Sequence, residues 1–213
     1  MGSSEKYSIA RMEEIASSVS HGIGLLAVLI SAPFLILAAV RHTAAVTEFG
    51  AGIFLASTAL LYMASTCYHG LPHGYAKRFF LKLDHSAIFL LIAGSYTAFV
   101  CTLPSSASGW LLGLVWGIAA LGLVLKLCDK LSHPLHSTAF YFAMGWLTLI
   151  AILPMAEQLP AFRLYWLIAG ALAYSSGVAV YLLGTRLCFS HLGWHLLVMT
   201  GSGCHFVALL RIH

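Results

Sequence analysis

The chain has 213 residues, of which 60% are hydrophobic and 8% are charged, with a formal net charge of +4. A soluble domain carries about 25% charged residues, so a surface that faces water on all sides is excluded. The few cations form no basic stripe, which excludes a nucleic-acid-binding surface.

In chain order, the N-terminal stretch MGSSEKYSIARMEE is polar and mixed in charge. It lacks the basic-then-apolar order of a cleavable signal, so the first apolar run is expected to stay in the protein. Residues 1–21 are read as an N-terminal cytoplasmic segment and residues 22–213 as one transmembrane domain. Seven apolar runs follow, at 22–40, 50–68, 86–103, 109–125, 139–156, 164–183 and 192–210. Each approaches the ~17–25 residues that a spanning helix needs. In lipid, a helix satisfies every backbone polar group within one segment. The runs therefore predict an all-α integral membrane protein with seven transmembrane helices.

Orientation follows from Lys and Arg. The N-terminus and the connections after runs 2, 4 and 6 share one side, which holds Lys6, Arg11, Lys77, Arg78, Lys82, Lys126, Lys130 and Arg186. The other side holds Arg41, Arg163 and Arg211. This bias places the N-terminus in the cytoplasm and the C-terminus outside. Trp110, Trp166 and Trp194 lie near run ends, where amphipathic rings favour the headgroup zone. Cys67, Cys101, Cys128, Cys188 and Cys204 form no CxxC pair and read as small core residues with free thiols.

Ionisable residues inside such runs are costly and call for a reason. Run 2 ends in STCYH, with Ser65 and His69 four apart on one helix face. Run 3 opens with LDHS, which carries Asp84 and His85, and run 7 opens around HLGWH, with His191 and His195 four apart. The topology brings His69, Asp84, His191 and His195 to one layer near the cytoplasmic face. Three imidazoles and a carboxylate at one depth suit a zinc ion that keeps a position open for water. The alternative is that these groups only hydrogen-bond between helices or sit among headgroups. Glu14 and His21 share a face two turns apart and read as a solvated entrance to run 1, unless His21 joins the layer. His205 lies about 15 Å beyond His195 along the helix and reads as an interhelical hydrogen-bonding residue. His133 and His136, on either side of Pro134, read as solvated, and His42, His73 and His213 as loop or terminal residues.

STCYH, LDHSAIFLLIAGSYTAF, YFAMGW and HLGWH followed by GSGCHF resemble the bacterial hemolysin III proteins, which group with the progestin and adipoQ receptors. The resemblance runs from about Glu14 to the C-terminus. It implies seven helices, a cytoplasmic N-terminus and zinc near the cytoplasmic face. It also implies His69, His191 and His195 as direct ligands, Asp84 acting through a water, and Ser65 as a supporting partner. Three positions depart from the family pattern: Ser17 where Asn is frequent, Ala98 where Pro is frequent, and Leu192 where an acidic residue is frequent.

The functional expectation is a zinc-dependent hydrolase of the bacterial inner membrane. It would cleave a lipid amide or ester that enters from the bilayer, with Asp84 and Ser65 as the catalytic pair. Membrane lipids are the expected partners, and the wider family implies ceramidase-like chemistry and membrane-lipid or membrane-energy homeostasis. The alternative is a non-enzymatic sensor, regulator or pore-forming hemolysin with a structural zinc. A transporter is disfavoured, because broken helices do not occupy matching positions in two halves.

Overall fold

The computed structural model describes residues 3–41, 45–102, 105–131, 133–152, 157, 159–184 and 188–210. Arg186, Arg211, His42, His213 and Pro154 lie outside the described residues. Seven helices follow in order: α1 (Ser3–Arg41), α2 (Ala45–Gly70), α3 (Tyr75–Val100), α4 (Ser105–Leu127), α5 (Pro134–Ile152), α6 (Ala161–Leu182) and α7 (Ser190–Leu210). No strand occurs among the described residues. Among the described residues, six of the helices are long and apolar enough to cross a membrane.

Burial runs opposite to that of a soluble protein. Ile30 is 69% exposed and Phe34 is 65% exposed, whereas His21 and Arg163 are each 2% exposed. An apolar outside with polar groups inside is stable where the solvent is lipid. The chain is therefore an all-α membrane protein.

Each helix packs on its sequence neighbour, and α1 meets α7 to close the ring. The third helix also touches α5 and α7, so it stands inside the ring. Between apolar helices in lipid, close packing and hydrogen bonds hold the bundle, because the hydrophobic effect does not distinguish neighbour from solvent. Gly94 of α3 lies against Ser57 and the Ile53 carbonyl of α2, where a Cβ would have no room. Tyr96 donates to the Gly145 carbonyl at 2.6 Å, tying α3 to α5, and Trp146 Nε1 donates to Ser175 Oγ at 3.1 Å, tying α5 to α6.

Several expectations change. No break falls at residue 21, because α1 is continuous from Ser3. The early turns carry Glu13, Glu14, Ser17 and His21, and a scan for apolar runs passes over them. The helical register nonetheless sets Ser17 and His21 inward while Ile15 and Val19 face out. Pro134 and His136 belong to α5 rather than a loop, although both histidines beside Pro134 are exposed. Two cations counted as surface charges are buried. Lys126 donates to the Leu131 carbonyl at 2.9 Å and to Ser137 Oγ at 3.1 Å, folding the α4–α5 turn around itself. Arg163 donates to Thr102 Oγ1 at 2.9 Å and lies over the Phe99 ring. Of the five free cysteines, Cys128 and Cys188 are exposed and so are not core residues.

Candidate metal centre

The last turn of α2 and the first two turns of α7 meet at the basic end of the bundle. His69 comes from the former, and His191 and His195, one turn apart, from the latter. His191 Nε2 is 3.1 Å from His69 Nε2 and 3.1 Å from His195 Nε2. The three ligand atoms lie within 4.8 Å of one another. His69 is 6% exposed and His195 2%.

The surroundings fix the protons. His195 Nδ1 faces the Ser17 carbonyl at 3.2 Å and Ser20 Oγ at 3.4 Å. A carbonyl only accepts, so the proton sits on Nδ1 and Nε2 presents its lone pair to the centre. His69 Nδ1 faces Glu14 Oε1 at 3.4 Å, which favours the same tautomer. His191 Nε2, between the other two, can donate to one of them or, with a cation at the centre, present a third lone pair. An outer carbonyl or carboxylate on the far ring nitrogen is also the usual support of a metal-binding histidine. Tetrahedral zinc with Zn–N of ~2.0–2.1 Å separates its nitrogens by about 3.3 Å, close to the two 3.1 Å spacings about His191. The group can hold a metal ion.

The early turns of α1 brace this cluster. Glu13 Oε1 accepts the backbone N–H of His191 at 2.9 Å, capping α7. Glu14 Oε2 accepts from Lys77 Nζ at 2.6 Å, and Lys77 also donates to the Tyr68 carbonyl at 2.9 Å, next to His69. His21 is not a solvated entrance. It is buried and stacked on His195, with ring centroids 3.7 Å apart and planes within 6°.

Asp84 and Ser65 line a cavity of about 150 Å³ together with His191, His195, His85 and His21. Asp84 is buried and lies outside the group of ligand atoms formed by the three histidines, among the described residues. Ser65 bears on its carboxylate, though its hydroxyl makes no hydrogen bond of ordinary geometry among the described residues. The His85 carbonyl accepts from Tyr141 at 2.9 Å, and its ring lines the cavity instead of facing headgroups. Trp194 also lines the cavity and packs on Gly177. His205 packs against the rings of Phe99 and Tyr174, and the Leu167 carbonyl of α6 bears on its ring, in a looser contact than the interhelical bond expected for it.

Glu13 and Ser20 were not picked out from the sequence. Their signal was present: residues 13, 17, 20 and 21 recur at the spacing of one helix face and form a polar stripe ahead of an apolar run.

Comparison with known proteins agrees with the motifs. Residues 9–206 match the family described as Haemolysin-III related. "Hemolysin-3" of Bacillus cereus is 38% identical over 199 residues, covering 93% of this chain and 90% of the relative. "Hemolysin-3 homolog" of Bacillus subtilis (strain 168) is 37% identical over 199 residues, covering 93% of each. Bacterial relatives together with several spanning helices fit a multi-pass protein of the bacterial inner membrane. The chain belongs to the hemolysin III family.

Proposed function

We propose that this protein is a zinc-dependent hydrolase embedded in the membrane, acting on a lipid amide or ester in the manner of a ceramidase. The observation that carries this reading is the junction of two features: three convergent imidazoles and a mostly apolar cavity that starts at them. That cavity is lined on α7 from His191 to His205, a rise of about 20 Å at 1.5 Å per residue. It suits an acyl chain, with the reacting carbonyl at the histidine end.

His69, His191 and His195 would hold the metal. A zinc ion held there would supply a water acidified to a pKa of about 7 and a Lewis acid for a carbonyl. Asp84 accepts the proton released in the attack and returns it to the departing amine or alcohol. Ser65, beside Asp84 in the cavity lining, would orient its carboxylate. Glu14 and the Ser17 carbonyl face the far nitrogens of His69 and His195, and Glu13 fixes the backbone that carries His191, so little reorganisation accompanies binding. The surrounding apolar walls exclude bulk water from the bond to be cleaved.

The test is turnover by zinc-loaded protein in lipid nanodiscs supplied with ceramide, N-acyl amide and acyl ester lipids, followed by mass spectrometry. Release of free fatty acid that stops on chelation supports the hydrolase, and no release from any of the three classes removes it.

One observation favours a second reading: both relatives are called hemolysins. Under that reading the metal ties α2 to α7 and the protein disrupts membranes. Conductance in planar bilayers that survives His195→Ala would favour it over the hydrolase.

A further inference from the structure

A second polar patch lies deeper in the same cavity. Ser95 of α3 is 3% exposed and His205 of α7 is 4% exposed. Ser95 Oγ and the ring nitrogens of His205 make no hydrogen bond of ordinary geometry among the described residues, although the Leu167 carbonyl bears on the His205 ring, and both residues line the cavity. Tyr174 of α6 joins them, since its ring lies 5.5 Å from that of His205 and its hydroxyl bears on Ser95. The Tyr174 hydroxyl is engaged by Ser202 Oγ at 2.9 Å and the Leu167 carbonyl takes the imidazole proton, so the capacity left over is the second ring nitrogen of His205, an acceptor, and the Ser95 hydroxyl as a donor.

These groups stand ten positions beyond His195 on α7 and eleven beyond Asp84 on α3. Both counts put them about 15 Å past the histidine cluster, halfway through a hydrocarbon core of about 30 Å. A polar atom left unpaired there is costly. The fold still holds the ring in place, as Gly170 leaves open the space that the His205 imidazole fills. A neutral imidazole offers one donor and one acceptor, and a serine hydroxyl offers both. Together they complement a ligand hydroxyl, which can donate to one and accept from the other.

We propose that Ser95 and His205 form a subsite for a hydroxyl group on the acyl chain of the ligand, and that the protein selects chains hydroxylated about a dozen carbons from the carbonyl, the extended span of about 15 Å between the two polar layers. This rests on the lipid-hydrolase reading and names the class of lipid that the site prefers. Two fixed partners on different helices also distinguish the two enantiomers of such a chain.

The experiment measures binding rather than turnover. Zinc-loaded full-length protein in detergent is titrated with octadecanoic acid, with the analogue hydroxylated about twelve carbons from the carboxyl, and with one hydroxylated next to the carboxyl. The distal hydroxyl is expected to tighten binding about tenfold, as pairing of buried polar groups does, and one enantiomer is expected to bind better. The hydroxyl beside the carboxyl should give no gain. Ser95→Ala is expected to abolish the gain and leave octadecanoic acid binding unchanged, and His205→Phe tests the partner. Equal affinities for the plain and distally hydroxylated acids, or a gain that survives Ser95→Ala, overturn the subsite and show that ordered water alone fills it, while the lipid reading stands. Failure of all three acids to bind removes the lipid reading and the subsite with it.

Discussion

The backbone N–H of His191 donates to Glu13 Oε1 at 2.9 Å, so α1 caps the helix that supplies two of the three convergent histidines. Capping and ligand placement are thereby one interaction. Glu13→Ala is expected to weaken metal binding by roughly 10–100-fold, the usual effect of removing a supporting partner. Glu13→Gln keeps an acceptor oxygen and should retain most of the affinity. Competition with a chromophoric chelator measures both. Equal losses in the two variants would mean that the charge, and not the hydrogen bond, matters.

Asp84 lines the cavity without joining the group of ligand atoms. Asp84→Asn should therefore retain the metal and lose roughly 10²–10⁴-fold in lipid hydrolysis, the range for a general base. Metal content and turnover are read on the same sample. Loss of the metal in this variant would make Asp84 a ligand instead.

The glycines divide by what faces them. A Cβ on Gly94 would press into Ser57 and the Ile53 carbonyl, whereas one on Gly203 would meet open space. Gly94→Ala should destabilise the bundle by about 1–3 kcal/mol, as overpacking does, and Gly203→Ala by much less. Thermal unfolding in detergent compares them. Equal shifts would show that helix α3 has freedom to move away from α2.

The pair Lys82 Nζ–Asp129 Oδ2, at 2.8 Å, joins α3 to the end of α4 in full view of solvent. Lys82→Ala should change stability by no more than about 1 kcal/mol. Unfolding at low and high salt checks this, and a larger loss would mean that the pair sets the α3–α4 contact.

The sequence made the chemistry of α2 and α7 readable for a simple reason. His191 and His195 share a face through their spacing, and counting apolar runs puts His69 at the same depth. The contribution of α1 was harder to read. Ser17 acts through its carbonyl, which any residue carries, and Glu13 acts on a backbone N–H, so neither interaction leaves a mark in side-chain spacing alone. His21 read as solvated because it precedes the apolar run, yet continuation of the helix buries it on His195. The charges of Lys126 and Arg163 pointed to surface positions, but local hydrogen bonds hold both inside. His205 was legible from its residue type: an imidazole deep in an apolar run needs a partner on another helix, and the Leu167 carbonyl of α6 bears on its ring.

The central claim is that His69, His191 and His195 together hold one divalent metal. Elemental analysis of protein purified without added chelator tests it most directly, with wild type beside His191→Ala and His195→Ala and circular dichroism to confirm the helices. The account predicts one zinc per wild-type chain and almost none in either folded variant. Wild-type protein free of metal after purification in zinc-containing buffer, or variants that keep a full complement, would contradict it.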